Sequence, residues 1–460
     1  MKILLKCPTR SRPLKVYNTL MKYAQLASRP EEIGVAVSCD ITDSSMMDQR
    51  AQNSLNMVLS KFAWHHIYFS DNHSKIEACN ANMNEVDYPW DIVVLVSDDM
   101  IPQMQGYDDV IRRTMRTSFP DTDGILWFND GAQNLQLNTL SIYGRKMYES
   151  LGCMYEPSYK SFFCDTELSD LCRTTLKSKT AYNSSIIIRH EHPATGFKDQ
   201  NDDLYRSNNR FFAEDLYTYI RRKAYEYDVS FLIPTLVGRE GSFDALVASI
   251  REKMARIAPE MRYELCIEKD NRQMSIGAKR QKLLKNAKGK YTAFIDDDDD
   301  ITDAYIEDLQ EAFRGSYHVM RLVGQMGVHP FMHSTEFNLT SMMVGEEPPL
   351  FQRPPNHLNP ILRDIASFVP FKDATYGEDI EWTIGLAKSG FIGSQYSSDR
   401  SRTHYIYNVK NRHVPAETIA FQRRSTLERM LPYLFTSTTQ QPKPVQQTKL
   451  RLGSRGFVSS

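Results

Sequence analysis

The stretch KYTAFIDDDDDITDAYIEDL, residues 290–309, decides how this chain is read. An apolar run with strand character, YTAFI, ends in five consecutive aspartates, Asp296 to Asp300, and a helical pattern follows. A weaker version, PWDIVVLVSDDMIPQ, stands at 89–103 and ends in Asp98-Asp99. Clustered carboxylates repel one another unless a cation is present, and they are hard oxygen ligands suited to Mg²⁺ or Mn²⁺. A calcium loop is the rival reading, with Asp296, Asp298, Asp300 and Glu307 at its ligand positions. It fails because Ile301 stands where the sharp turn needs glycine, and because a strand precedes the loop.

Outward from these runs the sequence says one thing twice. MKILLKCPTRSRPLKVYNTLMKYA reads as strand, Pro8-Thr9, a polar loop and a helix. YDVSFLIPTLVGREGSFDALVASIREKMA repeats the order around Pro234-Thr235 and Arg239. A second strand follows in each half and ends in Asp40 or Asp270. A polar helix carrying Lys75, or Lys279 and Arg280, then leads into the aspartates. Downstream, FFCDTELSDLC matches YGEDIEWTIGLAKSG, pairing Asp165 with Asp379 and Glu167 with Glu381. Histidines stand at equal distances: 190 − 165 and 404 − 379 both give 25. Alternating strands and helices predict an α/β fold with a mainly parallel sheet covered on both faces, in two tandem copies. The expected division is residues 1–225, 226–435 and a tail, 436–460, rich in Thr, Gln, Pro and Lys. In such sheets ligands gather at the carboxyl ends of the strands, where the Pro-Thr turns and the aspartates fall.

The candidate chemistry follows from residue type. Asp40 and Asp270 suit either loop capping or a hydrogen bond to a base or ribose. Lys75, Lys279 and Arg280 suit either a solvated helix face or neutralisation of pyrophosphate oxygens. Asp165 and Asp379, at helix starts, suit either an N-cap or a general base for an acceptor hydroxyl. His190 and His404 suit either structural roles or a third metal ligand, and the sequence HEHP leaves His192 as an alternative to His190. Asn356, His357 and Asn359 suit turn residues or a wall facing an acceptor.

The order Pro-Thr turn, strand-end aspartate, GAKRQKLLKNAKGKYTAFIDDDDD, GEDIEW and a late histidine resembles the family 2 glycosyltransferases of the GT-A fold. The likeness is fullest over about 228 to 412. The first half looks like a divergent copy, with SDD for the metal motif and Cys164 where the second half has Glu378. The resemblance implies a nucleotide-sugar donor, UDP-sugar above all, bound with Mn²⁺ or Mg²⁺ by a hexosyltransferase. It implies Asp298 with His404, and Asp99 with His190, as metal ligands. Asp379 or Asp165 would be the base, with Glu378 in its motif. Pro8, Thr9, Asp40, Lys75, Asp98, Pro234, Thr235, Asp270, Lys279, Arg280 and Asp296 would contact the donor. Transfer would go to a hydroxyl of a glycan, a lipid-linked sugar or a modified DNA base, with inversion. The basic-aromatic stretches LYRSNNRFFAEDLYTYIRRKAYEY and KLRLGSRG suit a phosphate backbone or simple solvation. The different-class alternative is a nucleotide- or glycan-binding protein on an inactive transferase scaffold.

The totals fit a folded protein of two domains: 460 residues, 41% hydrophobic, 25% charged and a formal net charge of −1. That balance gives no global attraction to nucleic acid. Seven scattered cysteines fit neither a disulfide framework nor a zinc knuckle. The apolar part of MKILLKCPTRSRP is short for a signal peptide, and no apolar run reaches the ~20 residues of a membrane span. The expectation is a cytoplasmic protein, or a viral one acting in host cytoplasm.

Overall fold

The computed structural model describes residues 1–192, 196, 203–337 and 350–408. These divide into two compact units, one of Met1–Lys223 and one beginning at Ala224. Both are α/β with mainly parallel strands at the centre.

In the first unit the seven-stranded sheet runs Trp64–Ser70, Ile33–Asp40, Ile3–Thr9, Ile92–Leu95, Ile142–Gly144, Ile125–Phe128, Thr180–Asn183. The first four strands are parallel, with Ile3 opposite Ile33 on one side and Ile92 on the other. Ile3, Leu5, Cys7, Val35, Val37, Ile92 and Val94 line one face of this sheet and are fully buried. Continuous apolar strands of this kind are what a sheet covered on both faces demands. Pro13 starts the first helix, Pro13–Leu26, without needing its missing N–H. Val16, Thr19, Leu20 and Tyr23 form the buried stripe of that helix at helical spacing.

In the second unit the six-stranded sheet runs Tyr263–Asp270, Tyr227–Leu236, Gly289–Phe294, Ile361–Leu362, Val319–Met320, Gln395–Tyr396. Its first three strands are parallel, and Val229 sits opposite Tyr263 and Tyr291. A five-stranded sheet joins Asp300–Ile301, Tyr405–Tyr407, Leu322–Met326, His329–His333 and Phe351–Arg353. In each unit the chain order of the strands reverses beside the first strand. Pro8-Thr9 and Pro234-Thr235 lie at the carboxyl end of the first strand of each unit and not in the turn expected of them, and with the second-strand aspartate and the acidic run they stand at one sheet edge, where a crevice forms.

The predicted tail, 436–460, and the stretch KLRLGSRG lie outside the described residues. Among the described residues no helix is long and apolar enough to cross a membrane.

Candidate functional site

In the second unit one guanidinium joins the two acidic motifs. Arg280 donates through Nη1 to Glu378 Oε1 and through Nη2 to Asp296 Oδ1 at 3.1 Å. Arg280 and Glu378 are buried. Burial pushes the Glu378 acid up, against the pull of Arg280. The start of the aspartate run and the helix Glu378–Ser389 are thus held at one place, although 82 residues of chain (378 − 296) separate them.

The rest of the run is dispersed among different partners. Asp297 accepts from Thr235 Oγ1 at 2.7 Å and from Arg239 Nη1 at 2.7 Å. Asp298 Oδ2 lies 3.5 Å from the same Arg239 nitrogen. Asp299 accepts from Tyr405 OH at 2.8 Å and from the Asn408 amide at 2.9 Å, and its burial, with Asp296 adding to it, raises its acid to about 7. Asp300 accepts from Ser249 Oγ at 2.8 Å. Lys279 is buried between Asp270, with which it forms an ion pair, and the Thr235 carbonyl at 2.9 Å. Burial raises the Asp270 acid, but the Lys279 and Met274 hydrogen bonds outweigh it and leave the acid below its ordinary value. Asp379, in the first turn of its helix, sits 3.3 Å from Arg353 with 22% of its side chain exposed.

The first unit repeats the frame with other side chains. Asp40 takes Arg10 Nη1 at 2.9 Å and the Thr42 amide at 2.7 Å. Asp98 takes Arg12 Nη1 at 2.9 Å, and burial beside Asp99 lifts its acid to about 6. Asp99 accepts from Ser97 Oγ and lies 3.6 Å from His190 Nε2. Although burial raises the Asp99 acid, His190 and Ser97 pull it well below the carboxylate range. His192 stacks edge-on to His190 at 5.2 Å, and burial holds it down at about 3. Asp165 is fully buried, and its Oδ1 accepts from the Thr166 amide at 2.9 Å.

Backbone contacts fix which residues correspond, and they correct the spacing-based pairing. The Val96 and Ile295 amides donate to Lys6 and Leu232, two residues before Pro8 and Pro234. The Met100 amide reaches the Ser97 carbonyl as the Asp299 amide reaches that of Asp296, both at 3.1 Å. Asp98 therefore matches Asp297, Asp99 matches Asp298, and Asp296 has Ser97 as its counterpart. Ser74 and Ser275 cap their helices, and two residues later Ile76 and Gly277 donate to Lys160 and Ala374. Each of those carbonyls stands five residues before its aspartate, 165 − 160 and 379 − 374. Lys75 is thus the first residue after the cap and matches Ile276; Lys279 and Arg280 match Ala78 and Cys79.

Three expected roles change accordingly. His404 is fully buried; its Nδ1 accepts from the Val323 amide at 3.0 Å, which leaves Nε2 to donate to Asp308 at 2.7 Å. Neither nitrogen has a lone pair to give a metal shared with Asp298. The equal 25-residue spacings are not structural: His190 is opposite Met100, whereas extending the Asp300–Ile406 ladder by one residue puts Tyr407 opposite Asp299. Lys279 and Arg280 are spent on carboxylates of the protein and not left as a cationic face. Sequence reasoning also passed over the ligands of Asp98 and Asp297. Arg12 and Arg239 both occupy the residue before their helix, and that shared position after the Pro-Thr pair is the signal that could have found them. Asn356 and Asn359 are turn partners, with the Asn359 carboxamide oxygen accepting from the Asn356 amide at 3.0 Å. His357 is buried beside Phe294.

Among the described residues no three His, Cys, Asp or Glu side chains gather into a metal cage. Mg²⁺-type sites that use substrate phosphates need only one or two carboxylates, and the carboxylates of buried Asp298 and of partly exposed Asp99 fit that requirement.

No family model and no curated protein matches the chain. Solved structures to which it is similar include the mannosyltransferase PcManGT from Pyrobaculum calidifontis in complex with GDP-Man and Mn²⁺. That match has 12% identity and a TM-score of 0.37, over 48% of this chain and 63% of the mannosyltransferase. S. aureus TarS 1-349 in complex with UDP matches at 13% identity and a TM-score of 0.33, over 73% of this chain and 97% of that one. A CMP:2-keto-3-deoxy-manno-octonic acid synthetase complexed with CTP matches at 12% identity and a TM-score of 0.26, over 40% and 91%. The chain spans less than two thirds of the mannosyltransferase's length, and the reading of the site rests on its own geometry.

Proposed function

We propose that this chain is a metal-dependent, inverting glycosyltransferase of the GT-A type that moves a hexose from a nucleotide sugar, a UDP-sugar above all, to an acceptor hydroxyl. We read it as two tandem modules, 1–225 and 226–435, followed by a tail, with transfer carried out by the second. The observation that carries the reading is the bridge from Asp296 through Arg280 to Glu378, because donor-side and acceptor-side acids must flank one cleft for transfer to occur. Asp298 in the second module, and Asp99 with His190 in the first, are the groups that would hold Mn²⁺ or Mg²⁺. The metal's contribution when bound is to offset charge on the departing diphosphate.

Asp379 takes the proton of the acceptor hydroxyl. It stands in the first turn of its helix, and its partial exposure lets an acceptor reach it. Thr235 and Asp270, at adjacent strand ends, set the nucleoside side of the cleft. Asp165 is fully buried and has no such access, and on this reading the first module binds without transferring. Seven free thiols suit a reducing compartment, the cytoplasm of a cell or of a virus's host. Glycans, lipid-linked sugars and hydroxymethylated DNA bases are the acceptor classes to be tried.

The test is a panel of nucleotide sugars with Mn²⁺ or with a chelator, reading released nucleotide. Metal-dependent release that is lost in Asp379→Asn supports the proposal. Saturable nucleotide binding with no turnover on any donor refutes it in favour of a binding protein.

A further inference from the structure

We infer that Arg280 is a positioning residue: it clamps the donor-side Asp296 to the helix that presents Asp379, in place of gripping the diphosphate itself. This rests on the transferase reading given above. Both terminal nitrogens of the guanidinium face carboxylates, Nη1 toward Glu378 and Nη2 toward Asp296 at 3.1 Å. A planar fork is suited to hold two acids at a fixed distance, which a single ammonium cannot do. Glu378 directly precedes Asp379, so fixing one fixes the helix start that aims the other.

A second observation comes from the first unit. The counterparts of Arg280, Asp296 and Glu378 there are Cys79, Ser97 and Cys164. All three charges are missing together, while the surrounding backbone contacts are kept. Cys79 and Cys164 are buried, and each thiol is pushed up by burial. A group of residues that changes as a set acts as a set. The unit that lacks the clamp is also the unit whose motif aspartate, Asp165, is fully enclosed. One group keeps the rival reading alive: Arg280 Nε is buried with no hydrogen-bond partner among the described residues, and a donor phosphate is the kind of acceptor it could reach.

The experiment compares Arg280→Met, Arg280→Lys and Arg280→Met with Glu378→Gln in the full chain. UDP with Mn²⁺ is titrated calorimetrically, steady-state transfer gives kcat and KM, and urea midpoints report stability. For Arg280→Met the expected result is a UDP Kd within threefold of wild type, a kcat lowered at least tenfold, and a lowered midpoint. Adding Glu378→Gln should recover at least half of the lost midpoint, because the carboxylate left unpaired is removed. Arg280→Lys, which keeps the charge and loses the fork, should fold with a wild-type Kd and a reduced kcat. A UDP Kd weakened tenfold with kcat unchanged overturns the clamp and makes Arg280 a phosphate ligand. A midpoint that Glu378→Gln does not recover overturns it too. If wild type releases no nucleotide from any donor, the transferase reading fails by itself, and the midpoint rescue still decides whether the clamp exists.

Discussion

Lys6 gives the sharpest test of the energetics, and its expected outcome is a gain in stability from removing a charge. Lys6 lies in the first strand with its ammonium enclosed by the core of the first unit, donating to Ser38 Oγ and to the Ala81 carbonyl at 2.6 Å. Burial brings it from 10.5 down to about 8. At ~1.36 kcal/mol per pH unit, keeping that proton costs the folded unit about 3 kcal/mol at pH 7. Lys6→Met removes the cost but leaves the Ala81 carbonyl without its donor, a loss of about 1–2 kcal/mol. Ser38 keeps its bond to Asn82 at 2.9 Å. The variant should therefore be more stable than wild type at pH 7 by about 1–2 kcal/mol. The pH dependence has a definite sign. Between pH 8 and 10.5 the unfolded chain holds a proton that folded Lys6 has released, so wild-type stability gains relative to the variant as pH rises. The advantage of Lys6→Met should shrink above pH 8 and reverse before pH 10.5. Urea unfolding followed by tryptophan fluorescence reads this, since Trp64, Trp90 and Trp127 all lie in the first unit. Taking variant minus wild type cancels the other thiols and phenols that titrate in the same range. A variant less stable at pH 7 by an amount that stays constant to pH 10 would show that the ammonium is not desolvated, and the reasoning would fail.

Further outcomes follow from the site. Asp379→Asn should lower nucleotide release about 10²–10⁴-fold with UDP binding retained, whereas Asp165→Asn should leave release within twofold; a released-UDP assay separates the two. His404→Phe should leave the Mn²⁺ concentration for half-maximal activity unchanged while lowering stability by about 1–3 kcal/mol, because buried Asp308 loses one of its donors and the Val323 amide its acceptor. Metal titration and urea unfolding check the two halves of that statement. Arg280→Cys combined with Asp296→Ser and Glu378→Cys, which installs the set found in the first unit, should be more stable than Arg280→Cys alone, which leaves two carboxylates without their cation; thermal unfolding of the two proteins decides it.

The strands and their aspartate ends were legible because a parallel sheet covered on both faces must be written as apolar runs, and because clustered charge falls where such a run stops. The α/β class and the meeting of the acidic motifs at one sheet edge follow from that. Register was not legible inside the run. Five identical side chains carry no mark of which one matches Asp98, and the decision belongs to the Val96 and Ile295 amides, whose bonds depend on backbone geometry alone. The helix register was hidden in the same way. Lys75 and Lys279 look alike in composition, but one follows its serine cap by one residue and the other by four, so they stand almost a full turn apart along the helix axis. His404 was misread because equal spacing between two landmarks says nothing about the turns between them. The ring is instead placed by Val323 and Asp308, residues distant in sequence.

The two units differ by a rule that simple electrostatics imposes. A buried carboxylate persists only beside a cation or enough hydrogen-bond donors, so losing Arg280 alone would strand Glu378 beside Asp296, and a joint change to neutral residues avoids that cost. The first unit has neutral side chains at all three places and keeps its strand-end acids paired: Asp40 with Arg10, Asp98 with Arg12, Asp99 with His190. On the proposed transferase reading, that pattern suits a module that holds a phosphorylated ligand without activating a hydroxyl, and it makes the arrangement around Arg280, more than the length of any aspartate run, the feature that would separate a transferring copy from a binding one.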